Sequence, residues 1–181
     1  MIRKLLAYLV IPAYTVLFTR GYGWLTTNFS VIGNLLDKKG SFFLWGVTVG
    51  VYFWLTDRRI KSHLSLGPVG SRLIPAALAL LFCAITTPYL PKELPLKSFL
   101  HIIFAFISTV LLLLYLAAVA WDRSRLDPAR FRPFLAALAA IVLVSAVLFA
   151  VAGIISSALE IFITITTVVL SDRICEQVTR P

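Results

Sequence analysis

Histidine and cysteine occur only twice each in these 181 residues, and eight acidic side chains stand against 17 lysines and arginines. A zinc hydrolase needs three or four convergent His, Asp, Glu or Cys ligands. With only His63 and His101 available, and those expected on opposite sides of the fold, no metal centre is expected and no cofactor is assigned. Cys83 falls mid-helix and Cys175 in a polar tail, at different depths, which argues against a disulfide. The chain also lacks internal repeats, low-complexity tracts, a nucleophile-elbow motif and any separable soluble domain. Its excess of nine positive charges is not organised into an aromatic-interleaved basic surface, so nucleic acid is not an expected partner.

Apolar side chains are what the chain has in abundance. At 60% hydrophobic residues and a mean hydropathy of +0.93, it carries more apolar surface than a globule of this size can hide. The pattern predicts an all-α, polytopic membrane helical bundle forming one domain over residues 1–181. Six transmembrane helices are expected at about 5–19, 41–57, 72–90, 98–121, 133–151 and 154–171. The last two need a tight turn near Gly153. At about 1.5 Å per residue, one straight helix over 133–171 would be about twice too long for a roughly 30 Å hydrocarbon core.

Charge placement orients this bundle. Arg3 and Lys4 precede the first apolar run, but no small-x-small cleavage pattern comes before Arg20, so a retained anchor is expected rather than a removed signal. Twelve cations (Arg3, Lys4, Arg58, Arg59, Lys61, Arg72, Arg123, Arg125, Arg130, Arg132, Arg173 and Arg180) fall on one side of a six-helix topology and five on the other. That asymmetry predicts both termini in the cytoplasm, with membrane lipids in contact with the basic side chains. The expected location in a prokaryote is the bacterial cytoplasmic membrane.

The longest connection, 19–40, mixes apolar and hydrogen-bonding residues. Tyr22 and Trp24 suit the headgroup level. Its centre, 25–36, reads equally as a short re-entrant or interfacial piece and as a surface loop. Gly46 and Gly50 have the spacing that lets another backbone approach. Pro12, Pro75 and Pro88 release carbonyls that neighbouring polar groups can satisfy. Cytoplasmic loops of about a dozen residues are too short for a catalytic domain.

Glu160 is the only charge between positions 133 and 171. An acid inside a membrane helix costs at least a few kcal/mol, which marks it as a functional-site hypothesis. Gly153, Ser156, Ser157, Glu160, Thr164 and Thr167 share one helical face, so a polar stripe turned into the bundle is expected. His101, with Ala105 and Ser108 on its face, is the expected partner of Glu160. Together with Asn28, Ser30, Gly33, Asn34, Ser156 and Ser157, this pair would build an outward-facing, ligand-binding polar pocket. Two roles stay open: interhelical glue worth about a kcal/mol per group, or a ligand anchor in which His101 donates to a phosphate or carbonyl and Glu160 accepts from a hydroxyl or amine.

Three functions follow. The leading one is a noncatalytic protein that binds a lipid headgroup or a membrane-protein partner through that pocket. A lipid-modifying hydrolase or transferase would use Ser30 or Ser156 with His101 and Glu160 as a Ser-His-acid arrangement. A proton-coupled carrier would titrate Glu160, although six helices without repeat symmetry fit that poorly.

Local motifs add a family. Asn28-Phe29-Ser30-Val31-Ile32-Gly33 resembles an Ile-Ser-x-x-Gly type motif of the first outer loop. His101-Ile102-Ile103-Phe104-Ala105, with Tyr115 downstream, resembles a His-x-x-Gly-Ala start of helix four, and Glu160 matches the acid of the final helix. In order and topology the chain resembles the FRAG/DRAM/Sfk group of six-helix membrane proteins. Val31 and Ile161 depart from that pattern, where relatives place an acidic or small polar residue and an aromatic. The resemblance implies a role in lipid homeostasis, brings no firm enzymatic mechanism, and favours Ser30, Gly33, His101 and Glu160.

Overall fold

A computed structural model describes residues 2–36 and 38–180. Among these the only regular secondary structure is helical, with no strand. A first helical stretch comprises α1 (Ile2–Leu5), a π-helical segment (Leu6–Val10) and α2 (Ile11–Phe18). It is followed by a short helix α3 (Phe29–Asn34) and the long helices α4 (Lys39–Lys61), α5 (Pro68–Thr86), α6 (Pro95–Ser124), α7 (Pro128–Ala152) and α8 (Ser157–Thr179).

Three of these, Pro68–Thr86, Pro95–Ser124 and Pro128–Ala152, are long and apolar enough to cross a membrane. Large apolar side chains line the outside of the bundle. On α7, Leu143, Val147 and Val151, spaced four residues apart on one face, are 67%, 54% and 69% exposed. A water-soluble monomer rarely shows so broad an apolar face, whereas a bilayer supplies a solvent for it. The finding is consistent with a membrane protein.

The helices close a ring. α4 packs on α5, α5 on α6, α6 on α7 and α7 on α8, while α8 returns to α4 and α6 and the first helical stretch lies against α4 and α8. At mid-depth the Tyr52 hydroxyl donates to Val168 O and also meets Ser171 Oγ, each at 2.8 Å, tying α4 to α8. Trp45 Nε1 donates to Thr15 Oγ1 at 3.0 Å, tying α4 to α2. Gly46 lies where an added Cβ would come within 2.5 Å of Ile85, so its bare backbone lets α5 approach. The Gly50 position would meet its neighbour only at an ordinary 3.7 Å.

Helix ends differ from the expected segments for local reasons. α5 stops at Thr86 rather than running to 90, because the residue before Pro88 is driven into extended backbone, and Thr87 adopts φ −80°, ψ 123°. Gly153 ends α7 in the left-handed region (φ 69°), donating to Phe149 O at 2.8 Å. It therefore lies before α8 and off the polar stripe.

α8 continues eight residues past 171, so Cys175 is not in a tail but fully buried inside a helix. Ion pairs between the chain's two ends hold this extension. Arg3 Nη1 lies 2.5 Å from Asp172 Oδ1 and also donates to the Asp172 carbonyl, while Lys4 pairs with Glu176. Asp172 is wholly buried, whereas Lys4 is largely exposed. Removing the partner of a buried charge is costly, and removing an exposed one is not. Arg3→Ala is expected to destabilise the protein by about 3–5 kcal/mol and Lys4→Ala by at most about 1 kcal/mol. Denaturant unfolding in detergent checks this, and equal losses would contradict the burial of Asp172.

Candidate functional site at the α3 end

Six residues cannot sustain a helix alone, so α3 depends on its surroundings. Phe29 and Ile32 are fully buried and pack with Phe18, Phe42 and Ile85. Burial of such side chains contributes about 1.5–3 kcal/mol each. Gly33 faces Phe42 so closely that an added Cβ would sit 2.7 Å from its side chain, which lets α3 lie flat against α4. The segment is thus a short helix seated on the bundle end, not an open loop.

Polar groups finish the seating. Asn28 caps α3, its Oδ1 accepting from Val31 N at 2.8 Å. Asn34 Nδ2 donates to Ser30 O at 3.1 Å. Glu160 Oε2 accepts from Phe29 N at 2.6 Å, satisfying a first-turn N–H that the helix itself cannot. The first turn of α8 responds in kind: Ser157 N donates to Thr27 O at 2.7 Å and Ala158 N to Trp24 O at 2.8 Å. Leu159 N turns to the hydroxyl of the capping Ser156 at 3.4 Å. Two helix N-termini and the loop between 24 and 29 therefore satisfy one another.

His101 binds the same short helix from α6. Its Nδ1 lies 2.7 Å from Ala84 O and 3.0 Å from Thr87 O, both acceptors, so Nδ1 carries the proton. Nε2 is then the acceptor for Ser30 Oγ at 2.6 Å. Ala84 is four residues before Pro88, which has no N–H to donate to its carbonyl, and that carbonyl takes Thr87 N at 3.2 Å and the imidazole at 2.7 Å instead. The rings of Phe42 and Tyr89 flank the imidazole at 6.2 and 5.6 Å.

These contacts correct the expected His101–Glu160 pair. Both nitrogens of His101 are engaged elsewhere, and Glu160 faces the backbone of α3 from the first turn of α8. The two residues meet only through Phe29 and Ser30, one held by each. Ser108 likewise turns away from α8, donating to Ala77 O of α5 at 2.8 Å.

Asn28, Ser30, Gly33, Asn34, His101, Ser156, Ser157 and Glu160 do gather at one end of the bundle, but their polar atoms are largely spent on one another and on backbone. Ser157 Oγ is the exception, fully buried and without a hydrogen-bond partner among the described residues. The 390 Å³ hollow at this end is lined instead by Trp24, Ala158, Ile161, Phe162, Ile165 and Thr166, and Thr166 returns its hydroxyl to Phe162 O. It is a hydrocarbon-lined groove beside the polar clamp.

Chemically, a serine hydroxyl donating to a neutral imidazole whose other nitrogen is held by carbonyls has the geometry of a nucleophile and its base. The Ser-His-acid arrangement is not formed, since Glu160 does not reach His101 and Ser156 is a helix cap. No family model, curated protein or solved structure matches this chain.

Glu160→Ala leaves Phe29 N without an acceptor, whereas Glu160→Gln keeps an oxygen there. Leaving that buried N–H unsatisfied costs about 1–3 kcal/mol and should speed amide exchange across 28–34 by on the order of 10- to 100-fold in the alanine variant and far less in the glutamine variant. Hydrogen–deuterium exchange followed by mass spectrometry measures it, and unchanged exchange in Glu160→Ala would show that the clamp does not hold α3.

Proposed function

We propose that this is a six-span membrane protein of the FRAG/DRAM/Sfk type, both termini cytoplasmic, which binds a lipid noncatalytically at its extracytoplasmic end. α4 and α8, at 23 residues each, extend about 34 Å, enough to cross a hydrocarbon core of roughly 30 Å. Their central polar groups, Tyr52 and Ser171, are satisfied inside the bundle, as membrane burial demands. The 12-to-5 cation asymmetry orients α3 outward.

The observation that carries the lipid reading is the groove on α8. It begins under Trp24, beside the Glu160 clamp, and passes Ala158, Ile161 and Ile165. From Ala158 to Thr166 it follows about 12 Å of helix toward the middle of the bundle. Such a surface takes an acyl chain. The headgroup then lies over α3, where Tyr22 and Trp24 mark the interface and Lys38 stacks on Tyr22 at 4.9 Å. Ile165→Trp fills the groove and leaves the clamp intact. The expected outcome is loss of co-purifying lipid in native mass spectrometry with thermal stability kept, and undiminished lipid would remove this reading.

The 2.6 Å contact of Ser30 with His101 Nε2 favours a second reading, a lipid-ester hydrolase or transferase. Ser30 Oγ would attack an acyl carbonyl while His101 takes its proton and returns it to the leaving alcohol. A fluorophosphonate probe separates the two. Covalent labelling that disappears in Ser30→Ala and in His101→Ala supports an enzyme; an unlabelled, folded protein leaves the binding role.

A further inference from the structure

At the opposite end of the bundle, where α6 and α8 finish and α7 begins, a 130 Å³ hollow is lined by Arg123, Asp127, Arg130, Gln177 and Arg180, with Leu126 and Phe131 at its apolar edge. Among the described residues none of the three guanidiniums forms an ion pair. Arg123 Nη2 donates to the His63 carbonyl at 2.7 Å, and its Nε is buried without any partner. Arg130 Nε is held by the neutral Gln177 side chain at 2.6 Å. The single carboxylate, Asp127, has Oδ1 committed to Arg130 N at 3.0 Å as the cap of α7. The lining thus holds three arginines and one aspartate, with a buried guanidinium N–H of Arg123 that no described group accepts.

We propose that this hollow binds the phosphate of an anionic phospholipid. Planar guanidiniums with several N–H groups each suit phosphate oxygens, and the hollow is large enough to admit one phosphate group. The edge selects a lipid over a free anion. Leu126 is 76% exposed beside the hollow, and Trp121, one turn before Arg125 and under its guanidinium at 5.8 Å, presents an aromatic face to the outside of α6. Side chains of this kind occupy the boundary between headgroups and hydrocarbon, and basic clefts between helix ends on the cytoplasmic side suit acidic headgroups. The proposal rests on the six-span placement but not on the outer groove, which lies at the other end of α8.

The test is native mass spectrometry of the purified protein with equimolar dioleoylphosphatidylglycerol and dioleoylphosphatidylcholine, and separately with inorganic phosphate added to the phosphatidylglycerol complex. The wild-type protein is expected to retain phosphatidylglycerol selectively. Arg123→Gln, Arg130→Gln and Arg180→Gln should each weaken that retention about fivefold, while Arg20→Gln and Lys92→Gln at the other end leave it unchanged. Arg180 sits exposed at the end of α8, so its variant reports on the site even if Arg123→Gln fails to fold. Undiminished selectivity in Arg130→Gln and Arg180→Gln would overturn the proposal. So would equal weakening in Arg20→Gln, which would mark unspecific attraction, or displacement of the lipid by inorganic phosphate, which would mark a free-anion site.

Discussion

The structure at its candidate site depends on an exchange of hydrogen bonds between two helix N-termini. α3 and α8 each begin with N–H groups that no turn of their own can satisfy. Glu160 on α8 reaches Phe29 N of α3, and the carbonyls of Trp24 and Thr27, just before α3, accept from Ala158 and Ser157 of α8. Neither helix start is complete without the other. A carboxyl oxygen is a fitting acceptor, because the first-turn N–H of Phe29 has no partner within its own helix.

This exchange explains why an acid is tolerated in the most apolar third of the chain. Glu160 is not a free group awaiting a ligand; its oxygen completes a backbone. The same holds for His101, which donates to the Ala84 carbonyl that Pro88 cannot serve and hands its other nitrogen to Ser30. What remains for a ligand beside these residues is hydrocarbon: the α8 groove under Trp24. The end of the molecule that looks polar in one dimension is, in three, a polar lock with an apolar flank.

The other end works by charge. Arg3 and Asp172 join the first helical stretch to the last helix, and Lys61, which also pairs with Asp57 at 2.8 Å, donates to the Ser71 carbonyl left free four residues before Pro75. Here the cations divide into those held in ion pairs and those that are not: among the described residues Arg123, Arg130 and Arg180 form none, and they surround a hollow.

Local pattern alone determined the helical class, the apolar segments, the turn at Gly153, the inward face bearing Ser156, Ser157, Thr164 and Thr167, and the gathering of Ser30, His101 and Glu160 at one end. Those follow from periodicity, hydropathy and charge asymmetry, which act within a segment. Pairing was not legible. Whether Glu160 meets His101 or the backbone of Phe29 depends on where α8 begins and how α3 lies across the bundle, and both are decided by contacts between separate helices, such as Phe29 with Phe42 and Ile85 and Ser157 with Thr27. Pro88 was the readable clue to the His101 contact, since a proline frees the carbonyl four residues back. Arg3 and Asp172 carried no such local sign: opposite charges at the two chain ends become partners only when packing brings the first and last helices together and excludes water from the aspartate.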